Sequence, residues 1–147
     1  MSSILIFPGQ GSQAVGMGKE LYDNFAVARY VFNEVDEALN QKLSDIIWEM
    51  VLQWEPFYKN TIGIQLVKSS DSIGANIAEG LGRGSSKENK RFAKIARGSL
   101  FDTKHWLRRT VKRHLMGESS IKLIKPLIDE LSPRLSAYIN SIKTTNN

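Results

Sequence analysis

Apolar positions change their period once along this chain, and the change divides it. Ile4-Leu5-Ile6-Phe7 is a continuous apolar run closed by Pro8-Gly9, the pattern of a short buried strand running into a turn. From Val15 to Asn40 the period becomes helical, with Val27, Tyr30, Val31, Glu34, Val35 and Leu39 on one stripe. Leu43, Ile46, Ile47, Met50, Val51 and Trp54 then form a cleaner helical face, which Pro56 is expected to close or kink. Ile62, Leu66, Ile73 and Ile77 set a second helix that ends in Gly80, Gly82 and Gly84. Ser69, Ser70, Ser72 and Gly74 keep one face of it small, so that a neighbouring helix can approach closely.

A third helix opens on the capping box Ser85-Ser86-Lys87-Glu88 and is expected to reach Met116, with Gly117 as its stop. Its stripe is Phe92, Ile95, Ala96, Ser99, Thr103, Trp106, Leu107, Thr110 and Val111. A fourth helix begins near Ser119 or Ser120, with Ile124, Leu127, Ile128, Leu131, Leu135, Tyr138, Ile139 and Ile142 on its inner face. Pro133 is expected to restart it. Helices with short connections predict an all-α fold, an up-down antiparallel four-helix bundle, preceded by a strand-turn-helix appendage. The expected division is a segment 1–40 and a bundle 41–147.

Charge sharpens that division. Residues 1–50 hold 3 Lys and Arg against 7 Asp and Glu, and residues 51–147 hold 17 against 8. Such a swing marks a module boundary, and the net +5 favours an anionic partner. The chain has no cysteine, which removes disulfides, thiolate nucleophiles and thiolate metal sites. Ser2-Ser3-Ile4 lacks a basic leader and no apolar run spans a bilayer, so a cytoplasmic protein with no membrane contact is expected.

The N-terminal residues carry a resemblance. Phe7-Pro8-Gly9-Gln10-Gly11-Ser12-Gln13, then Val15-Gly16-Met17-Gly18, Ala28-Arg29 and Asp36-Glu37-Ala38-Leu39, resemble the N-terminus of malonyl-CoA:acyl-carrier-protein transacylase over about 48 residues. The resemblance implies that Gln10 holds the position whose backbone N–H helps form the oxyanion hole. That family also implies a serine in a Gly-His-Ser-x-Gly elbow, an arginine for the malonyl carboxylate and a distant histidine. No Gly-x-Ser-x-Gly stands in this sequence, and His105 and His114 lack the matching context. Acyl transfer needs nucleophile, base and oxyanion donors together, so Gln10 reads as vestigial and no catalytic residue is expected.

A second resemblance covers the bundle. Thr61-Ile62-Gly63, Gln65-Leu66-Val67, Asp71-Ser72-Ile73-Gly74-Ala75-Asn76-Ile77-Ala78-Glu79-Gly80, Gly82-Arg83 and Phe92 with Ile95-Ala96-Arg97-Gly98-Ser99-Leu100 resemble the four-helix-bundle family encoded in intervening sequences of bacterial 23S ribosomal RNA genes. The match runs from about 41 to 142. It implies a homo-oligomer, commonly a pentameric ring, with nucleic-acid binding proposed for some members and no enzymatic activity. Leu43-Ser44-Asp45-Ile46-Ile47-Trp48-Glu49 suits both families, which points to a gene fusion at a shared stretch.

Between Arg83 and Arg113 there are 11 basic residues against Glu88 and Asp102. Lys87, Lys90, Arg91, Lys94, Arg97, Lys104, Arg108 and Lys112 recur at helical spacing and suit a phosphate backbone; a solvated face is the simpler alternative. Asn76, Glu79 and Arg83 are read as a structural polar network, with Arg97 as a further partner. His105 reads as a surface residue, and Trp48, Trp54 and Trp106 as core or interface. Glu-x-x-His spacing is absent, so neither a metal nor a cofactor is expected. The resulting expectation is a non-catalytic, oligomerising bundle that binds RNA or DNA through its third helix. The alternative is a transacylase fragment still associated with fatty-acid machinery.

Overall fold

The computed structural model describes residues 39–144, and they are helical, with no strand among them. The strand, the glycine turn and Gln10 lie outside the described residues. Four helices make up the described residues. Helix α1 is Gln41–Leu52. Helix α2 is one rod in three parts: a single turn Pro56–Tyr58, a π-helical segment Lys59–Gly63, and an α-helix Ile64–Gly82. Helix α3 is Ser86–Lys112 and helix α4 is Glu118–Ser141. Helix α1 packs on α2 and α4, α2 on α3, and α3 on α4.

Burial follows the apolar stripes. Leu43, Ile47 and Val51 are the buried positions of α1, with Ile46, Met50 and Trp54 packed partly against the core. Helix α4 buries every position of its anticipated face from Ile124 to Ile139, and Ile142 beyond its end. Removing one such aliphatic side chain from water is worth about 1.5–3 kcal/mol. Helix α3 turns a narrower inner face: Asn89, Ala93, Ala96, Ser99, Leu100, Thr103, Leu107 and Thr110. Its hydroxyls stay satisfied within the helix, Thr103 Oγ1 donating to the Ser99 carbonyl (2.8 Å) and Thr110 Oγ1 to that of Leu107 (2.7 Å).

Two glycines set the spacing of α2. A Cβ on Gly80 would lie 2.8 Å from Phe92 Cβ and 3.0 Å from Asn89 Oδ1, so α2 and α3 touch there. A Cβ on Gly63 would lie 2.8 Å from Val51 Cγ1, so the π segment crosses α1 at that point. Ser69 and Ser70, the small buried positions of α2, donate to carbonyls of their own helix.

Several boundaries differ from the periodic reading. Helix α1 stops at Leu52, and the Gln53 and Trp54 N–H groups bond to the Met50 and Val51 carbonyls. Trp54 therefore leaves the helix while keeping its contact with the core. Pro56 does not close α1; it occupies the first turn of α2, where its missing N–H costs nothing. Helix α3 stops at Lys112, short of Met116. The His114 N–H bonds to the Val111 carbonyl (3.1 Å) and the Leu115 N–H to that of Thr110 (2.9 Å). This is a Schellman ending with His114, φ 58°, in the left-handed position usually taken by glycine.

Gly117 is instead the N-cap of α4, which begins at Glu118. Helix α4 runs unbroken through Pro126 and Pro133 rather than restarting at the second. Both prolines are exposed, as are Lys122 and Asp129, whose carbonyls lose their helical donors to water's benefit. The inner face of α4 is buried on either side of each proline, and that packing outweighs the local defect.

The inner stripe of α3 is also rotated from the one read from the sequence. Ile95 and Val111 are exposed and Phe92 is half-buried, while Ala93, Leu100 and Asn89 are inside.

Candidate nucleic-acid interface

Because α3 buries one narrow stripe of Asn89, small residues and two leucines, most of its circumference faces outward. Ser85 starts it, its hydroxyl accepting from the Glu88 N–H at 3.2 Å, and Glu88 sits in the first turn with Arg109 and Lys112 in the last. These charges complement the helix dipole at both ends.

The predicted basic residues divide into four groups. Lys87, Lys94, Arg108 and Lys112 are exposed, Arg97 is half-buried, and none of the five forms an ion pair among the described residues. Arg91 is exposed and reaches Glu88 at 3.3 Å, a surface pair of small worth. Lys90 is committed elsewhere: its Nζ donates to the Ile142 carbonyl at 3.2 Å, tying the first turns of α3 to the end of α4. Lys104 stands 5.5 Å from the centre of the Phe101 ring.

Phe101 was not singled out from the sequence, where it fell between the core stripe and the basic row. It is 62% exposed. The spacings 94, 97, 101, 104, 108 and 112 place it on the same outer face as five cations. A polar–polar–aromatic–polar ladder at intervals of three and four was the available signal.

The row continues into a groove of about 500 Å³ between the end of α3 and the start of α4. Leu107, Val111, Met116, Ile121, Ile124 and Ile128 form its floor, and Lys104, Arg108, Lys112 and Lys125 its cationic edge. Lys125 is paired with Asp129.

The polar residues of α2 sit apart from this face. Glu79 Oε1 and Arg83 Nη2 are paired at 2.6 Å along the surface, each about half exposed. Asn76 Nδ2 donates to the Ser72 carbonyl of its own helix (2.7 Å), and the Arg83 guanidinium lies 5.2 Å from the Phe92 ring. Asn76 is thus placed with its own backbone, separate from the Glu79–Arg83 pair. Asp71, also on α2, has its pKa raised, by burial first and by the charge of Asp45, against a hydrogen bond from Ser44 that lowers it.

His105 is exposed beside Trp106, ring centres 5.0 Å apart. No group of three His, Asp or Glu side chains among the described residues could hold a metal. No described helix is long and apolar enough to cross a membrane.

The geometry defines a class: a bundle, all-helical over the described residues, whose third helix carries a row of cations without carboxylate partners among those residues. The family model for the 23S rRNA-intervening sequence protein matches residues 38–137, and the chain belongs to that family. The N-terminal region is similar to other proteins. The chain is 56% identical over 50 residues to malonyl CoA-acyl carrier protein transacylase of Bacillus subtilis (strain 168), covering 33% of this chain and 16% of that protein. It is 58% identical over 38 residues to fatty acid synthase subunit beta of Aspergillus oryzae, covering 26% of this chain and 2% of that protein. The chain therefore spans only a small fraction of the curated relatives it matches.

Proposed function

We propose that this protein is a non-catalytic, oligomerising, up-down four-helix bundle that binds RNA or DNA through the outer face of α3. The carrying observation is the row Lys87, Lys94, Arg97, Arg108 and Lys112, which forms no ion pair among the described residues. Cations on a solvated face are usually interleaved with acids; a row without them attracts a polyanion and releases its counterions. Residues 1–40 are a fused transacylase-like segment. Trp48 (51% exposed), Leu52, Phe57 (72% exposed) and Ile64 supply an apolar surface for self-association, a pentamer by family resemblance.

The test is charge reversal. Replacing Arg91, Lys94 and Arg108 by Glu is expected to abolish binding of a structured RNA while circular dichroism stays unchanged. Binding as tight as that of the unaltered protein would refute the reading.

The 56% identity with the B. subtilis transacylase favours a second reading, in which the N-terminal segment keeps the protein beside fatty-acid machinery. A pull-down with acyl carrier protein that fails under conditions where intact transacylase succeeds would remove it.

A further inference from the structure

The α3 row explains how phosphates could be held, but not why an aromatic ring stands in the middle of it. Phe101 has 62% of its surface exposed, on a helix whose inner face is already filled by Ala96, Leu100 and Thr103. An apolar ring left in water costs free energy, and here it stands within a row of cations on the same helix face, Lys104 being the one beside it. Its surroundings are asymmetric. Lys104 Nζ is 5.5 Å from the ring centre, one turn towards the C-terminus. One turn towards the N-terminus is Gly98, where even a Cβ would meet nothing within 4 Å. The ring thus has a cation on one side and a side-chain-free notch on the other.

We propose that Phe101 is a stacking platform for an unpaired base, and that the α3 face takes single-stranded RNA or DNA segments in preference to duplex. This rests on the reading of α3 as a phosphate-binding face. In a duplex the bases are stacked on one another, so an outward ring meets only backbone or a groove edge. In a single strand each base has a free face, and a ring between phosphate-binding cations is the arrangement that engages both parts of the nucleotide. Arg97 and Lys104, one turn on either side of the ring, hold the flanking phosphates. The Gly98 notch leaves room for the base to lie alongside.

The experiment is fluorescence anisotropy of a labelled 16-nucleotide single strand and of the same sequence as a duplex, with the full chain. The proteins compared are unaltered, Phe101→Ala, Phe101→Trp and Lys94→Glu/Arg108→Glu, with light scattering on each. Stacking is worth about 1–3 kcal/mol per base, which corresponds to roughly 5- to 150-fold in affinity. Phe101→Ala is expected to weaken single-strand binding by about tenfold, leaving duplex binding and the salt slope unchanged. Phe101→Trp restores it.

Equal single-strand affinity for Phe101→Ala and the unaltered protein overturns the proposal. So does an equal loss on both nucleic acids, or a Phe101→Ala protein of smaller oligomeric mass, which would make the ring a contact between copies. If the Lys94→Glu/Arg108→Glu protein binds normally, or nothing binds at low salt, the phosphate-binding reading itself fails and takes the proposal with it.

Discussion

Tyr138 of α4 donates its phenolic hydroxyl to Oδ1 of Asn89 in α3 across 3.1 Å, with both side chains buried. The bond fastens the first turns of α3 to the last turns of α4, beside the Lys90 link to the Ile142 carbonyl. Among the described residues Asn89 Nδ2 is buried without a hydrogen-bond partner, and Oδ1 accepts the bond from Tyr138. Tyr138→Phe removes this buried bond and is expected to cost about 1–3 kcal/mol in urea unfolding.

The same tyrosine gives a pH dependence. Burial raises its pKa above the ordinary value of 10.0, opposed by the Asn89 bond. The fold favours the neutral form, so this contribution is complete below pH 10 and is lost as pH rises through the folded value. Unfolding midpoints are expected to fall at the alkaline end for the unaltered protein and to lose that component in Tyr138→Phe.

Asp71 behaves likewise in the acid range. Its pKa lies above 3.8, so the fold disfavours the carboxylate, and stability from this group rises as pH falls through the folded value. Asp71→Asn is expected to be more stable than the unaltered protein at pH 7, with the advantage shrinking as pH is lowered. An advantage that is constant with pH would show that the ionisation plays no part.

His114 holds a left-handed conformation, φ 58°, to complete the ending of α3. Left-handed geometry costs a non-glycine residue about 1–2 kcal/mol. His114→Gly is expected to raise the melting temperature by several degrees, as about 1 kcal/mol does in a domain of this size.

The glycines separate by their surroundings. Gly80→Ala forces its Cβ to 2.8 Å from Phe92 Cβ and is expected to destabilise by about 1–3 kcal/mol. Gly98→Ala meets nothing within 4 Å and is expected to stabilise by up to about 1 kcal/mol through helix propensity. Thermal unfolding of the two proteins distinguishes crowding from propensity.

The parts of the fold that were legible are those with a single long apolar stripe. Helix α4 shows this best, since eight positions from Ile124 to Ile142 declare one face and all are buried. The stop of α3 was hidden because a histidine does the work of a glycine, and a search for glycine runs on to Gly117. The continuity of α4 was hidden because a proline signal is local, whereas the packing that overrides it is not. On α3 itself, alanine, serine and threonine carry too little hydrophobic contrast to fix the stripe's rotation, which exchanged Ile95 for Ala93. The exposure of Lys87, Lys94, Arg108 and Lys112 follows from spacing, whereas the tie of Lys90 to the Ile142 carbonyl depends on a tertiary contact that spacing does not carry. Phe101 was not legible, because it falls between the core stripe and the basic row and belongs to neither pattern.

The central claim is that α3 holds phosphates. It is tested most directly by the salt dependence of RNA binding, measured by anisotropy between about 50 and 200 mM monovalent salt. Each phosphate neutralised contributes a slope of about −0.7 to −0.9 in log affinity against log salt. With five cations on the row that form no ion pair among the described residues, a loss of two orders of magnitude or more is expected across that range. No binding at the lower salt, or an affinity that does not change with salt, would contradict the account.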